Sequence, residues 1–461
     1  MKRIMIVHPP YFENYSRDGR CQNPGDAWAT SFPPITLASI AGHLRGFGHE
    51  AIIFDAMGQN LSWDDFEMKA SEFRPDFVVI NTATATIEND MRVADIVKKH
   101  NPKAKSIAIG GFPSALPQEC FKIGKNLDFA VRGERSERPI EHIVEGKPGF
   151  TGVVKRSDND PGKMYIEEDL ESLGIPAYEL LPGYKFPLTQ ENWMFCLDSS
   201  GCPWECTYCI IPSMSGRRFI WKSIGRVVDE IEYIIKNANA GIILFWSECF
   251  TQDKERVYKL CDEIERRGIK TKFMCTTRVD AIDDRLLKRM REVGFEWMSF
   301  GLETGSQKIL DNIRKGTTTE QARKAVRAAN RAGFKTIGHF IIGLPGETSA
   351  TARETLEFSK SVGVKFAQFY SVTPFPGSVF YEQALAEGWM RSGDWKSVEQ
   401  GKQVISYPDF SSADIKEWRQ RGYREFYFRP GFVWTLFRSV NLSGFLNLAK
   451  TGTRFMRWWK R

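Results

Sequence analysis

The feature that most constrains this chain is an alternation of strand and helix that runs twice along its length. Short apolar runs at residues 4–7, 51–54, 77–80, 106–109 and 129–131 are separated by helical periodicity at 35–46, 63–73 and 89–99. Runs this short and this apolar are buried on both faces, which is how strands of a parallel sheet read. A parallel sheet with a helix in each connection is doubly wound and takes ligands at the carboxyl ends of its strands. The loops that fall there are His8-Pro-Pro10, Thr82-Ala-Thr84, Gly110-Gly-Phe-Pro113 and Arg132-Gly-Glu134. Glycine at 110 and 111 lets backbone approach a ligand closely.

After a Pro-, Gly- and acid-rich stretch at 150–190, which reads as an ordered linker packed across both halves, the alternation resumes. Strands are expected at 194–197, 242–245, 271–274, 297–300, 336–342 and 366–371, and helices at 223–236, 254–267, 283–293, 320–332 and 350–361. Six repeats fall short of the eight that close a barrel, so a partial (β/α)6 barrel with an open side is expected. Its chemistry belongs at the carboxyl ends of its strands.

Directly after the first of these strands comes Gly201-Cys-Pro-Trp-Glu-Cys-Thr-Tyr-Cys209. Three thiolates spaced C-x3-C-x2-C can hold three corners of a [4Fe–4S] cube, whereas an electron-transfer cluster takes a fourth cysteine. None lies close by, so one iron is left open for a ligand. Zinc needs a fourth ligand and paired spacings, and no histidine occurs between His142 and His339. The plain alternative is three cysteines packed as small hydrophobes. The glycine before them, the proline among them and the aromatic before the last argue against it.

This arrangement resembles the radical S-adenosylmethionine (SAM) superfamily. The resemblance implies that Cys202, Cys206 and Cys209 bind the cube, and that the open iron chelates the amino and carboxylate groups of SAM. A 5′-deoxyadenosyl radical then abstracts hydrogen from substrate. Tyr208 stands where the family carries an aromatic near the adenine. In Trp246-Ser-Glu-Cys-Phe-Thr251, Ser247 and Glu248 replace the paired aspartates that relatives place near the SAM amino group. Glu303, in Phe300-Gly-Leu-Glu-Thr-Gly305, is implied as an acceptor for SAM, and Arg278 as a partner of its carboxylate. Gly343-Leu-Pro-Gly-Glu-Thr348 and Thr373-Pro-Phe-Pro-Gly377 match loops that line the SAM site.

The first alternation resembles the cobalamin-binding domain that precedes the radical core in one large subclass. It shares Pro33-Pro34, Gly46-Phe-Gly-His49, Gly110-Gly111 and Arg132-Gly-Glu134. The resemblance implies cobalamin contacts at Pro10, Thr82, Gly110, Gly111 and Glu134. The D-x-H-x-x-G motif is absent, so coordination by a protein histidine is not expected. His8, His43, His49, His100 and His142 read as surface or structural residues.

The implied cofactors are a [4Fe–4S] cluster, SAM and cobalamin, served by a low-potential donor such as flavodoxin or ferredoxin. The implied reaction is methylation of an unreactive carbon of a hydrophobic substrate. The alternative is a ring-forming or oxidative rearrangement, as in the anaerobic cyclase of chlorophyll synthesis, which the chain also resembles. No catalytic residue beyond the cofactor ligands is singled out. An electron carrier without catalysis is the third reading. The layout is 1–148 cobalamin domain, 149–190 linker, 191–378 radical core and 379–461 a mainly helical cap with a basic, aromatic tail.

Composition bears on location and partners. The formal charge is +7, yet residues 415–461 hold eleven Lys/Arg against two Asp/Glu. That local +9 leaves the remainder near −2, which is not the spread of a nucleic-acid surface. The tail, ending Arg454-Phe-Met-Arg-Trp-Trp-Lys-Arg461, reads either as a membrane-interface segment or as a cap over the barrel mouth. Nine cysteines, three of them in one motif, point to a reducing cytoplasm, and the membrane reading of the tail would add peripheral association at the inner membrane face. Cys21, Cys120, Cys196, Cys249, Cys261 and Cys275 read as structural thiols.

Overall fold

Every apolar run named above becomes a strand, because a segment buried on both faces can satisfy its backbone only by pairing sideways. The computed structural model describes residues 1–11, 15–17, 23–24, 32–391 and 393–446. Cys21 and the tail beyond residue 446 lie outside the described residues.

The first sheet comprises β1 (Arg3–His8), β2 (Glu50–Asp55), β3 (Phe77–Asn81), β4 (Lys105–Ile109), β5 (Phe129–Val131) and β6 (Val153–Lys155), in the order β2-β1-β3-β4-β5-β6. All pairs are parallel except β6, which runs antiparallel along β5 with Ala130 opposite Val154. The sheet therefore extends past residue 148 into the stretch read as linker. The strand order reverses between β1 and β3, which puts the binding crevice at their carboxyl ends.

The second sheet comprises β7 (Tyr184–Lys185), β8 (Asn192–Cys196), β9 (Ile242–Phe245), β10 (Lys272–Thr277), β11 (Phe295–Glu303), β12 (Lys335–Ile342) and β13 (Phe366–Ser371). Its order, β13-β12-β11-β10-β9-β8-β7, places each strand beside its neighbour in sequence, as in a barrel. Strands β8 to β13 are parallel, giving the six expected repeats, and β7 pairs antiparallel with β8. The connecting helices carry side-chain caps where the sequence offers them, such as Ser223, Asp253, Asp283, Thr318 and Thr348.

The residues after β6 tie the two sheets together. Helix α1 (Ile35–Gly46) takes a strand-like bond from the linker, Ala177 N to Ala38 O at 2.8 Å. Gly42 permits this approach, since a Cβ there would lie 2.0 Å from the Ile175 carbonyl. On the other side Arg226, in the helix after β8, donates to the Leu173 carbonyl at 2.8 Å. Asp55, at the end of β2, is buried between His8 (3.0 Å), the Gly58 amide (3.1 Å) and the Tyr184 hydroxyl. Burial raises its pKa, but those three partners outweigh it and hold the carboxylate below the usual range.

The longest helix of the cap is α2 (Ser412–Tyr427), begun by a reciprocal Ser411–Asp414 capping box. Arg419 donates to the Phe369 carbonyl of β13 at 2.9 Å, and Gly422 lies against the Phe369 ring. In α3 (Phe432–Ser439) Phe432 is 6% exposed, with its ring edge-on to Tyr427 at 4.8 Å. The cap thus packs on the outer face of the last strand. A chain ending at residue 430 is expected to lose about 3–5 kcal/mol, the usual effect of removing a buried phenylalanine. Thermal melts of the two lengths check this.

Candidate active site

The cysteine loop leaves β8 through a short ladder, Ser199–Ser200 against Ile220–Trp221. Gly201 follows at φ +84°, where a Cβ would sit 2.1 Å from the Arg218 carbonyl, so the motif can open only with glycine. The loop is pinned by Cys202 N to Gly216 O, Thr207 N to Ile313 O and Cys209 N to Cys206 O. Cys202, Cys206 and Cys209 are all half-buried and line one cavity of about 280 Å³. Burial pushes the Cys206 thiol up, opposed by the nearby Lys315 charge.

The same cavity receives Tyr208, Glu248, Arg278 and Glu303. Glu303 ends β11 at φ +63°, beside an irregularity in the β11–β12 register. A non-glycine residue held there is strained, and such strain persists only where the surroundings enforce it. Here Lys315 enforces it, its Nζ lying 2.6 Å from Glu303 Oε1 with both side chains under 10% exposed. Gly301 leaves the room, since a Cβ there would meet Glu303 Oε1 at 2.6 Å. Burial alone would lower the pKa of Lys315, but Glu303 and Cys206 reverse it and the net shift is upward. Burial, then the negative charge of Glu303 and the adjacent thiols, pushes the Tyr208 hydroxyl well up.

Arg278 reaches the cavity partly engaged. Its Nε and Nη2 fork onto Asp280 at 3.0 and 2.9 Å, Nη1 donates to the Lys315 carbonyl, and the guanidinium lies 3.7 Å from the centre of the Trp204 ring. Three of its five donors are used, so two remain for a ligand. Ser247 is not brought in. Along this segment Leu244, Trp246 and Glu248 face the cavity, and alternation turns Ser247 the other way, where its hydroxyl donates to Asp198 at 2.7 Å.

Of the two later loops, Thr373 and Phe375 line the cavity, but residues 343–348 do not. That loop is held internally. Buried Glu347 accepts from the Gly343 amide, and the Tyr407 hydroxyl donates to the Gly343 carbonyl at 2.7 Å. Burial pushes Glu347 up to about 8, against the two backbone amides that lower it.

A second, smaller cavity lies at the carboxyl ends of the first sheet, lined by Gly110, Gly111 and Glu134 together with Arg17, Asn81 and Arg135. Pro10 and Thr82 are not on its wall. The Pro10 carbonyl accepts from Asn89 at 2.9 Å, and the Thr82 hydroxyl donates to the Ile109 carbonyl at 2.8 Å. Gly110, at φ +117°, makes room for the Thr82 carbonyl, 2.5 Å from where its Cβ would be. The free volume there is about 30 Å³, room for a water. The donor set fits the amide-bearing rim of a corrin, since Arg17 Nη1 and Arg135 Nε are buried without a hydrogen-bond partner. Trp246 lines both cavities.

Comparison with known proteins gives this geometry its family. The model of the radical SAM superfamily matches residues 197–359, and that of the B12-binding domain matches 27–142. Residues 197–359 thus carry a radical SAM domain, and residues 27–142 a B12-binding domain. Similar relatives include an uncharacterized methyltransferase of Pyrococcus horikoshii, 28% identical over 93% of both chains. Another is the anaerobic magnesium-protoporphyrin IX monomethyl ester cyclase of Rubrivivax gelatinosus, 26% identical over 83% of this chain and 70% of its own. Among solved structures, the cobalamin-dependent SAM radical enzyme OxsB, with aqua-cobalamin and SAM bound, shares the fold. Its TM-score is 0.74 at 14% identity, over all of this chain and 72% of that one. This radical SAM enzyme therefore uses a [4Fe–4S] cluster, SAM and cobalamin.

Among the described residues, no group of three or more His, Cys, Asp or Glu converges on a single metal position. Cys120, Cys196, Cys249, Cys261 and Cys275 are buried, and burial pushes each thiol up, Cys261 to about 12. Sequence reasoning missed Lys315, Trp204 and a polar wall of His339, Gln368 and Tyr370, in which His339 Nδ1 lies 3.3 Å from the Tyr370 hydroxyl. The signal for that wall was present: polar residues interrupt two otherwise apolar strands.

Two outcomes are expected. Lys315→Met leaves Glu303 a buried, unpaired charge and should cost about 3–5 kcal/mol, and adding Glu303→Gln should recover part of the loss, read from thermal melts. For Glu347, the folded chain holds the proton more tightly than the unfolded chain. Its contribution is therefore fully present below about pH 4.5 and is lost as pH rises through about 8. Melts of wild type and Glu347→Gln at pH 6 and pH 9 should show the variant gaining on wild type as pH rises, by on the order of a few kcal/mol.

Proposed function

We propose that this enzyme methylates an unreactive carbon of a hydrophobic substrate, a lipid or natural product, using both cavities in one reaction. The observation that carries the reading is Trp246, the one described residue that lines both. A group held at the carboxyl edge of the first sheet and one held beside the cysteine loop are thereby adjacent. When bound, the cluster and SAM supply a carbon-centred radical and cobalamin supplies a transferable methyl group.

The chain's own residues bind, orient and exclude water. In this reading Cys202, Cys206 and Cys209 anchor the cluster, and Tyr208 stands beside it. Glu248 and Glu303 accept from donors of SAM, with Glu303 fixed by Lys315. Arg278 offers its two remaining N–H groups to a carboxylate. Gly110, Gly111 and Glu134 form the cobalamin side, joined by Arg17 and Arg135. The apolar wall of Phe32, Phe186, Trp193, Leu244 and Met274 supports a hydrophobic substrate. The polar wall of His339, Gln368 and Tyr370 would receive a polar group of that substrate. A low-potential donor, flavodoxin or ferredoxin, completes the system, and the enzyme works peripherally at the inner face of a membrane. The methyltransferase relative that matches 93% of both chains favours methylation. The cyclase relative supports rearrangement without methyl transfer as the second reading.

Anaerobically reconstituted protein should bind one cluster and, on reduction, release 5′-deoxyadenosine from SAM. Cys206→Ala should lose both, because two anchors cannot hold the open iron in place. S-adenosylhomocysteine formed alongside 5′-deoxyadenosine in the presence of a lipid extract supports methylation. Its absence from a reaction that consumes substrate would establish the rearrangement instead.

A further inference from the structure

Ten large hydrophobic side chains stand exposed among the described residues, and five of them, Phe428, Trp434, Leu442, Phe445 and Leu446, fall within nineteen positions of the cap. The others are scattered singly, which is ordinary for a protein surface. Leu442, Phe445 and Leu446 are spaced i, i+3, i+4 in a helical turn, so they share one face and stand 75%, 40% and 54% exposed. The opposite side of that turn is fixed to the body. A Cβ on Gly444 would lie 1.9 Å from the Leu188 carbonyl, and Asn441 Nδ2 donates to the Thr189 carbonyl at 2.8 Å. The exposed face is therefore held outward by packing behind it.

We infer that this face docks on an anionic lipid bilayer. Charge selects that occupant over another protein surface: residues 447–461, which continue directly from Leu446, carry five Lys/Arg and no Asp/Glu. Apolar side chains flanked by basic ones suit the boundary between acyl chains and anionic headgroups. No described helix is long and apolar enough to cross a membrane, so the contact is with its surface. The position matters as well. Leu188 and Thr189, against which the turn packs, directly follow Phe186 and Pro187 on the wall of the large cavity. A bilayer docked here lies against the segment that forms the apolar end of that cavity, where a membrane-dissolved substrate would have to arrive. The inference rests on the reading of a hydrophobic substrate taken at a membrane, and it names the surface used.

The test is flotation of the reconstituted full-length enzyme with vesicles of phosphatidylcholine alone or with one quarter phosphatidylglycerol, at low salt and at about 0.5 M, where screening is short. Wild type is expected to float with the anionic vesicles, and at least tenfold less with neutral vesicles or at high salt. Leu442→Glu/Leu446→Glu should lose at least tenfold in anionic-vesicle binding while keeping cluster absorbance and uncoupled 5′-deoxyadenosine release. Replacing Lys450, Arg454, Arg457, Lys460 and Arg461 by Gln should remove the salt-sensitive share. Failure of wild type to float overturns the inference. So does unchanged flotation of the double Glu variant, or a solution dimer dispersed by that variant with no vesicle binding. The substrate reading is tested separately: a lipid extract that stimulates 5′-deoxyadenosine release without flotation sinks the docking surface alone, and flotation without any stimulating lipid sinks the substrate reading alone.

Discussion

The carboxylate of Glu134, just past the end of β5, accepts hydrogen bonds from Ser200 and Ser215, which bracket the cysteine loop of the second sheet. Its backbone amide also donates to the Met214 carbonyl at 3.2 Å. A carboxylate bridging two hydroxyls is a charge-assisted contact, and it fixes orientation as well as distance. Much else follows from that join. It turns the reactive edges of two parallel sheets toward each other, so that ligands held at strand ends meet instead of pointing apart. Glu134 was expected as a contact for the corrin, and its first role in the fold is to clamp the loop that carries the thiols.

Within the barrel the comparable device is the pair of Glu303 and Lys315. A left-handed glutamate is costly on its own, and the backbone keeps it because Gly301 vacates the space and Lys315 supplies the counter-charge. The result is a carboxylate whose position is set before any ligand arrives. Preorganised charge of this kind needs no rearrangement at the moment of reaction, which is what an enzyme handling a reactive radical requires.

The strands and helices were legible because burial on both faces and capping residues are local signals. Strand β6 was not, since three residues at a sheet edge within a Pro- and Gly-rich stretch carry no periodicity. The cysteine loop was legible for the same local reason: spacing alone specifies what the thiols can hold. Ser247 lies off the cavity wall, bonded to Asp198, between the wall residues Trp246 and Glu248. Lys315 was invisible in sequence. It comes from a loop twelve residues beyond its partner, and only the fold shows that the Lys315-Gly316 turn comes back under β11. Thr82 and Pro10 were read as ligand contacts because strand-end loops usually are. In this fold their polar atoms complete the loops themselves.

The two sheets are distinct in topology, but their apolar interiors are not. Ile35 and Ala38 of α1 belong to the same buried cluster as Trp193 and Trp297 of the barrel. Met5 and Val7 of the first sheet share another with Ile309, Phe380 and Trp418. Two sheets so joined share the apolar burial that stabilises each of them. Free energy gained by binding at one edge is then shared by the whole chain.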